Sequence, residues 1–359
     1  MEPGDLAGML GAVLPEAWRG LTQVAWAPGS RDVRPKQPSE DWVSALWDYI
    51  CTKSGSDANN DGINGRGRRT DRDVAENVRL FERSWPLLPA RGGVGSDQIR
   101  VLLELHEGMP VVSPLADGID ARKMTTSVIK VLSQLGVWIL DATALGNQTQ
   151  NPLILKYANA CSPSGVLSAL QEALFPSPPP PSPQSVPGDA RGVEGRAAAE
   201  ERRDFGPGGA ARRRVDNRFQ SVGPAERDAL RRFLSSPQRH STVTAGGATS
   251  GGGRRGLTDQ QLELLKGLPI YRVHGNNEGM SSLSSSTRGG QFTSISGAEQ
   301  PLLLAPRSTD AALLGPLFAV EERGGDTELL ESLGVQRVGK GAFVREHMLP
   351  GAVERSGSA

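Results

Sequence analysis

Apolar residues recur at helical spacing in several stretches of the chain, and most of these stretches carry their own start and stop signals. The fullest set runs from Leu257 to Pro350, which opens LTDQQLELLKGLPIYRV and closes LLESLGVQRVGKGAFVREHMLP. Thr258 is placed to cap a helix, Gln261 completes a capping box three residues on, and Leu257 can staple against Leu262. Gly267 stops that helix, and Leu268–Pro269 turns the chain into an extended run, Ile270–Val273. Near the end, Thr327–Leu333 reads as a further helix with Gly334 as its cap.

The same reading applies to the N-terminal half. Residues 5–14 and 39–50 read as helices, the second capped by Ser39, with Glu40 and Asp41 at its positive end and Trp42, Leu46 and Tyr49 on one face. Val74–Phe81 leads into Trp85-Pro-Leu-Leu-Pro89, which the prolines force into an extended conformation. Arg100–Leu105 and Pro110–Pro114 read as short buried strands joined by a turn at Glu107–Gly108. Asp120–Leu135 has Val128, Val131, Leu132 and Leu135 at helical spacing, and Gly136 sits where a left-handed cap belongs. Val137–Leu140 follows as a buried strand. Ser162–Leu174 is a helix capped by Ser162 with Pro163 in first position, burying Val166, Leu167, Leu170 and Leu174. One echo links the halves: Leu132-Ser-Gln-Leu-Gly-Val137 and Leu330-Glu-Ser-Leu-Gly-Val335 share a helix end, a glycine and a β-branched restart.

Composition divides the pattern. After Phe175 comes PSPPPPSPQSVPG, a stiff polyproline run, and residues 189–223 hold few large apolar groups. Between Gly188 and Gly256 there are 14 arginines against eight acidic residues. Helical period returns only at 223–236, where Leu230, Phe233 and Leu234 are apolar. The expected organisation is a Trp-rich α+β lobe over 1–175, a disordered Pro/Arg-rich linker over 176–222 and a linker helix over 223–243. A Gly-rich linker over 244–256, a second α+β lobe over 257–350 and a disordered tail over 351–359 complete it. The fold class is α+β, helices with short mixed strands, in two lobes. All six tryptophans precede residue 139, which places the aromatic core in the first lobe.

Charge and cysteine content narrow the functions. The 359 residues carry 40 Lys+Arg against 40 Asp+Glu, so any nucleic-acid or lipid-surface function must be local, and a nucleic-acid partner is not expected. No apolar run is long enough to span a bilayer, and Met1–Pro15 lacks the pattern of a signal peptide, so a cytoplasmic protein with no membrane span is expected. Cys51 and Cys161, far apart and in no metal-ligand spacing, read as reduced buried thiols.

Several stretches imitate chemical motifs. Gly334-Val-Gln-Arg-Val-Gly339-Lys340-Gly341 matches a phosphate loop except at its last position, where Gly341 replaces the hydroxyl that holds magnesium. Because Gly334 follows a helix, it is read as that helix's cap, and nucleotide binding through Lys340 stands only as an alternative. Asp57-Ala-Asn-Asn-Asp-Gly62 imitates the start of a calcium loop, but the twelfth position is Arg68 where a bidentate Glu is needed, so residues 54–73 read as an insertion. The four histidines (106, 240, 274 and 347) have no partner at metal or catalytic spacing, and His347 sits at a helix end where a cation suits the dipole. Arg212–Arg214 is read as solvated linker, with RNA, anionic lipid or an acidic partner as the alternative reading. Ser281–Thr287 is a loose Ser-rich turn near Arg288 and a candidate phosphorylation target. No catalytic, cofactor-binding or metal-binding residues are assigned, and no enzyme activity is expected.

In order, Trp42–Tyr49 (WVSALWDY), Trp85–Pro89 (WPLLP), Leu132–Asp141 (LSQLGVWILD), Pro163–Ala173 (PSGVLSALQEA) and Glu226–Leu234 (ERDALRRFL) resemble the repeat region of sacsin-type proteins. LTDQQLELLKGLPIY, Pro301–Pro306 (PLLLAP), LLESLGV and FVREHMLP continue the resemblance, which spans roughly residues 14–350 with breaks at 54–73 and 176–222. In that family an ATP-binding module precedes the segments matched here. This chain shows neither its acidic Asn-box helix, nor a DxGxG-like loop, nor the His-Pro-Asp tripeptide of a J module. The resemblance therefore implies a non-catalytic scaffold or client-binding segment in protein folding or quality control, partnered by chaperones or unfolded clients. An interaction module that binds anionic partners through the Arg-rich linker is the alternative.

Overall fold

The computed structural model describes residues 3–29, 37–55, 85–92, 99–114, 124–176, 209–235, 257–274, 291–298, 300–310, 313–315, 317–321 and 325–349. The chain is α+β and divides into two units, Met1–Pro176 and Ser177–Ala359.

Tryptophan builds the first unit. Helix α1 (Pro3–Val13) is followed by strand β1 (Gln23–Ala25) and helix α2 (Glu40–Gly55). Ser39 Oγ accepts the Trp42 N–H at 3.2 Å and caps α2, as its hydroxyl and the acidic first turn lead one to expect. The buried stripe of α2 is Val43, Leu46, Trp47 and Ile50, while Trp42 and Tyr49 lie half-buried at its flanks. Counting from Val43 puts four apolar groups on one i, i+3, i+4, i+7 stripe. Counting from Trp42, as the sequence pattern invites, turns Trp47 away from the core.

Strands β2 (Pro86–Gly92), β3 (Ile99–Glu104), β4 (Val111–Val112) and β5 (Trp138–Leu140) join β1 in one sheet, ordered β1-β3-β2-β5-β4. All pairs are antiparallel except β4 with β5, which is parallel. The register shifts between Pro86 and Leu88, leaving Leu87 as the extra residue of a bulge. Its carbonyl accepts the indole N–H of Trp47 at 3.0 Å, so the bulge joins α2 to the sheet. Pro89 sits inside the sheet through its carbonyl, which accepts the Asp141 N–H at 3.0 Å. A turn at Glu107–Gly108, with Gly108 at φ +77°, follows β3 as expected, but β4 crosses to pair with β5 instead of returning against β3.

Helix α3 (Thr126–Gln134) begins where Thr125 Oγ1 accepts the Val128 N–H, and residues 120–123 of the expected Asp120–Leu135 lie outside the described residues. Its end is a Schellman motif: Gly136 is left-handed at φ +89°, the Val137 N–H reaches the Leu132 carbonyl, and the Gly136 N–H reaches that of Ser133. Short helices α4 (Ala142–Leu145) and α5 (Pro152–Leu155) follow β5. Helix α6 (Pro163–Leu174) is capped by Ser162 and buries Val166, Leu167, Leu170 and Leu174, the four residues its spacing predicts.

The second unit begins earlier than the sequence suggests. Residues 209–222, expected to be disordered linker, contain helix α7 (Gly209–Phe219), and the expected linker helix is α8 (Pro224–Ser235) packed against the rest of the unit. The correction has a clear cause. Val215, Phe219 and Val222 recur at i, i+4, i+7 and are buried, as are Leu230 and Leu234 of α8. Arg227 then donates to the carbonyls of Phe219, Val222 and Pro269, tying both helices to the chain that follows. Residues 177–208, the Gly-rich stretch 244–256 and the tail 351–359 lie outside the described residues.

Helix α9 (Asp259–Gly267) carries the capping box read from the sequence, Thr258 and Gln261 satisfying each other's backbone N–H at 3.1 and 3.2 Å. A Thr258→Ala variant is expected to lose about 1 kcal/mol of unit stability, read as a lower urea midpoint by circular dichroism. Strands β6 (Tyr271–Val273) and β7 (Gln291–Thr293) pair antiparallel, while β8 (Leu303–Leu304) and β9 (Gln336–Arg337) pair parallel. Helix α10 (Gly325–Ser332) lies between β8 and β9, and helix α11 (Lys340–Phe343) runs on into a π turn, Val344–Met348.

The echo noted in the sequence extends to architecture. Gly334, at φ +92°, ends α10 in the same Schellman geometry, with the Val335 N–H on the Leu330 carbonyl. In each unit the second residue after this glycine, Trp138 or Gln336, pairs parallel with the strand before the helix. Within each unit, among the described residues, a helix, an antiparallel strand pair, a strand–helix–strand crossover and a short helix occur in this order. Five residues past the glycine, Asp141 caps α4 with its side chain, whereas Gly339 at the start of α11 has none to offer.

Candidate functional site

Two constellations stand out, one in each unit. In the first, the Asp141 carboxylate is fully buried between two guanidiniums: Arg91 Nη2 lies 2.7 Å from Oδ1, and Arg100 Nε lies 2.6 Å from Oδ2. Thr143 donates both its backbone N–H and its hydroxyl to Oδ1. Arg100 also reaches Glu40 at 2.9 Å and stacks over the Trp26 ring at 4.5 Å. Burial resists charging Asp141, but hydrogen bonds from Arg91 and Thr143 and the two positive charges outweigh it and hold its carboxyl below the usual aspartate range. The hydrogen bond from Arg100 does the same for Glu40. Both carboxylates are therefore locked in the charged form, and neither is tuned to exchange a proton near neutral pH. The cluster joins β2, β3, α2 and the start of α4. It ties these four elements together across the sheet.

Nothing local in the sequence marks these residues as a cluster. Asp141 reads there only as the end of a strand, though Asp141-x-Thr143 is a helix-start signature. The partners come from strands about forty and fifty residues upstream and are brought in by the sheet order alone.

In the second unit a cavity of about 740 Å³ opens on the face of the β6–β7 sheet. Val273, Leu302, Leu317 and Phe318 give it apolar lining, Gln291, Thr293 and Gln300 add polar side chains, and Leu313 and His347 complete it. Arg212 of α7 also lines it, donating to the Gly297 carbonyl. A side chain at Gly297 would collide with Ser294 and the Arg212 guanidinium, so the absence of a Cβ is what admits this contact.

The wall at His347 depends on the π turn. Phe318 and Phe343 meet edge-on with centroids 5.5 Å apart, and the imidazole of His347 packs on both, at 5.1 and 5.9 Å. With His347 committed to these rings, the terminal helix exposes Val344 (44%), Met348 (36%) and Leu349 (54%), and Leu313 at the cavity is 52% exposed. Such π turns recur at functional sites. The sequence places His347 at a helix end, where the dipole suits it; the aromatic contacts depend on Phe318, which no local pattern links to it.

The remaining candidates resolve individually. The phosphate-loop lookalike does not form a loop: Gly334 caps α10, Gln336–Arg337 is strand β9, and Lys340 is an exposed residue in the first turn of α11. Arg212–Arg214 is split, with Arg212 built into the cavity wall and Arg213 and Arg214 exposed. Burial lowers the pKa of His274, and His106 is half-buried. Cys51 and Cys161 are buried and form no disulfide, their thiols pushed up by burial to about 12 and about 11. The calcium-loop lookalike at 57–68, the Val74–Phe81 stretch, the Ser281–Thr287 turn and His240 lie outside the described residues. Among the described residues no His/Cys/Asp/Glu group could hold a metal ion, and no helix is long and apolar enough to cross a membrane. No protein-family model, curated protein or solved structure matches this chain.

Proposed function

We propose that the chain is a non-catalytic scaffold that holds apolar segments of non-native polypeptide clients in the cavity of its second unit. This is also the role that the sacsin-like resemblance implies. One observation carries the reading. The cavity, lined by apolar and polar side chains together, carries the exposed Leu313, and the terminal turn that supplies its His347 wall also exposes Val344, Met348 and Leu349. A concave site with apolar walls and a few polar groups is the usual form of a binding pocket. An extended client segment fits this chemistry. Its side chains would meet Phe318, Leu302 and Leu317, and Gln291, Thr293 and Gln300 would serve its backbone polar groups. A flexible thioether at Met348 suits clients of differing shape.

The test is suppression of aggregation of a thermally unfolded model protein by the full chain. A Leu313→Asp/Met348→Asp double variant is expected to lose most of that suppression. Its melting temperature should stay near that of the parent, since both positions are already exposed. Equal suppression by the folded variant would remove the cavity from the account.

A further inference from the structure

Helix α7 carries an arginine-rich face that takes no part in the cavity. Val215, Phe219 and Val222 bury one side of it, which leaves Arg213, Arg214, Asn217, Arg218 and Ser221 exposed on the other. Arg213, Arg214, Asn217 and Arg218 fall within an arc of about 140° on the helix, and Ser221 follows in the turn after it. Among the described residues, Arg213, Arg214 and Arg218 make no hydrogen bond or ion pair through their side chains, unlike most of the other arginines. Arg91 and Arg100 hold Asp141, Arg231 and Arg272 reach Asp228, Arg337 reaches Glu321 and Glu331, and Arg212 reaches Asp216.

The arrangement opposes the helix that bears it. Arg214 and Arg218 are like charges at i, i+4, which repel. The first turn of α7 holds no acidic residue that could offset this charge. Nothing in the packing needs this. A local conflict without a structural return is what a binding surface shows before its partner arrives.

We propose that this face docks a short run of Asp or Glu side chains on a partner polypeptide. Three guanidinium forks on two turns of helix match a few carboxylates, and Asn217 and Ser221 between them can hydrogen-bond the partner's backbone. A nucleic acid fits less well. The aromatic rings of this helix pair offer no stacking platform, Phe219 being buried and Phe233 half-buried, and the whole chain has no net charge to extend the field. A lipid surface fits less well still, since the arc exposes no apolar side chain to insert.

Fluorescence anisotropy of the full chain with a labelled peptide of about ten residues, rich in Glu, tests the proposal; a Gln-for-Glu peptide, oligo-uridine RNA and phosphatidylserine vesicles run beside it. The Glu peptide is expected to bind, and to weaken as salt rises from about 50 to about 300 mM. An Arg213→Gln/Arg214→Gln/Arg218→Gln variant should lose about tenfold or more in affinity without a lower melting temperature, because the change relieves repulsion. Arg214→Gln alone should lose a smaller part, and Arg19→Gln/Arg307→Gln, which removes exposed arginines elsewhere, should lose none. No binding of the Glu peptide, equal binding of the Gln peptide, equal or tighter binding of RNA or vesicles, or unchanged affinity in the folded triple variant would each overturn it.

Discussion

Replacing Asp141 with Ala is expected to destabilise the first unit by about 3 kcal/mol. The carboxylate has no access to water and holds two guanidiniums, while Arg91 and Arg100 keep 34% and 22% of their side-chain surface exposed. That residual exposure places the cost at the lower end of what breaking a buried pair brings. The substitution also removes the cap of α4 and strands Thr143. Asp141→Asn should fall between, since it keeps an acceptor for the Thr143 N–H but loses the charge. All six tryptophans belong to this unit, so urea unfolding followed by their fluorescence reports it selectively.

The pH dependence follows from the direction of the shift. The folded carboxyl sits below its unfolded value of about 3.9, so its contribution is complete above that value and fades as pH falls through the folded pKa. The difference between parent and Asp141→Asn should therefore persist unchanged from neutral pH down to about 4 and shrink only below it. Convergence of the two near pH 6 would contradict the buried, ionised assignment.

Trp47→Ala is expected to be costlier, about 4 kcal/mol. Trp47 is 1% exposed, fills the space between α2 and the sheet, and supplies the indole N–H that satisfies the Leu87 carbonyl at the β2 bulge. Trp47→Phe separates the two roles: it retains most of the packing yet leaves that carbonyl buried without its donor, at about 2 kcal/mol. If Phe restored full stability, the bulge would not depend on the hydrogen bond.

Features fixed within a turn or two of chain are legible from the amino-acid order alone. Ser162 with Pro163, Thr258 with Gln261, and the paired glycines 136 and 334 all sit where local backbone chemistry puts them. The phase of α2 is less so, because choosing between Trp42 and Val43 as the start of the stripe requires knowing that Trp47 meets Leu87. Helix α7 is hidden by its composition. Its three apolar residues keep helical period, but a run of Gly, Ala and Arg around them reads as linker. The Asp141 lock and the cavity are out of reach, since each gathers residues from strands and turns that only the sheet pairing assembles. The same physics explains why the phosphate-loop lookalike fails. A match in residue spacing carries no information about the strand that runs through its middle.

The proposed client site can be tested most directly by photo-crosslinking. A benzophenone amino acid placed at Leu313 in the full chain is exposed to a reduced, permanently unfolded model protein, with the same probe at Leu21 of the first unit as reference; both positions are exposed, at 52% and 43%. The account predicts adducts from position 313 with the unfolded protein, few from position 21, and few from either with the native form of the same client. Equal labelling from the two positions, or none from position 313, would contradict it.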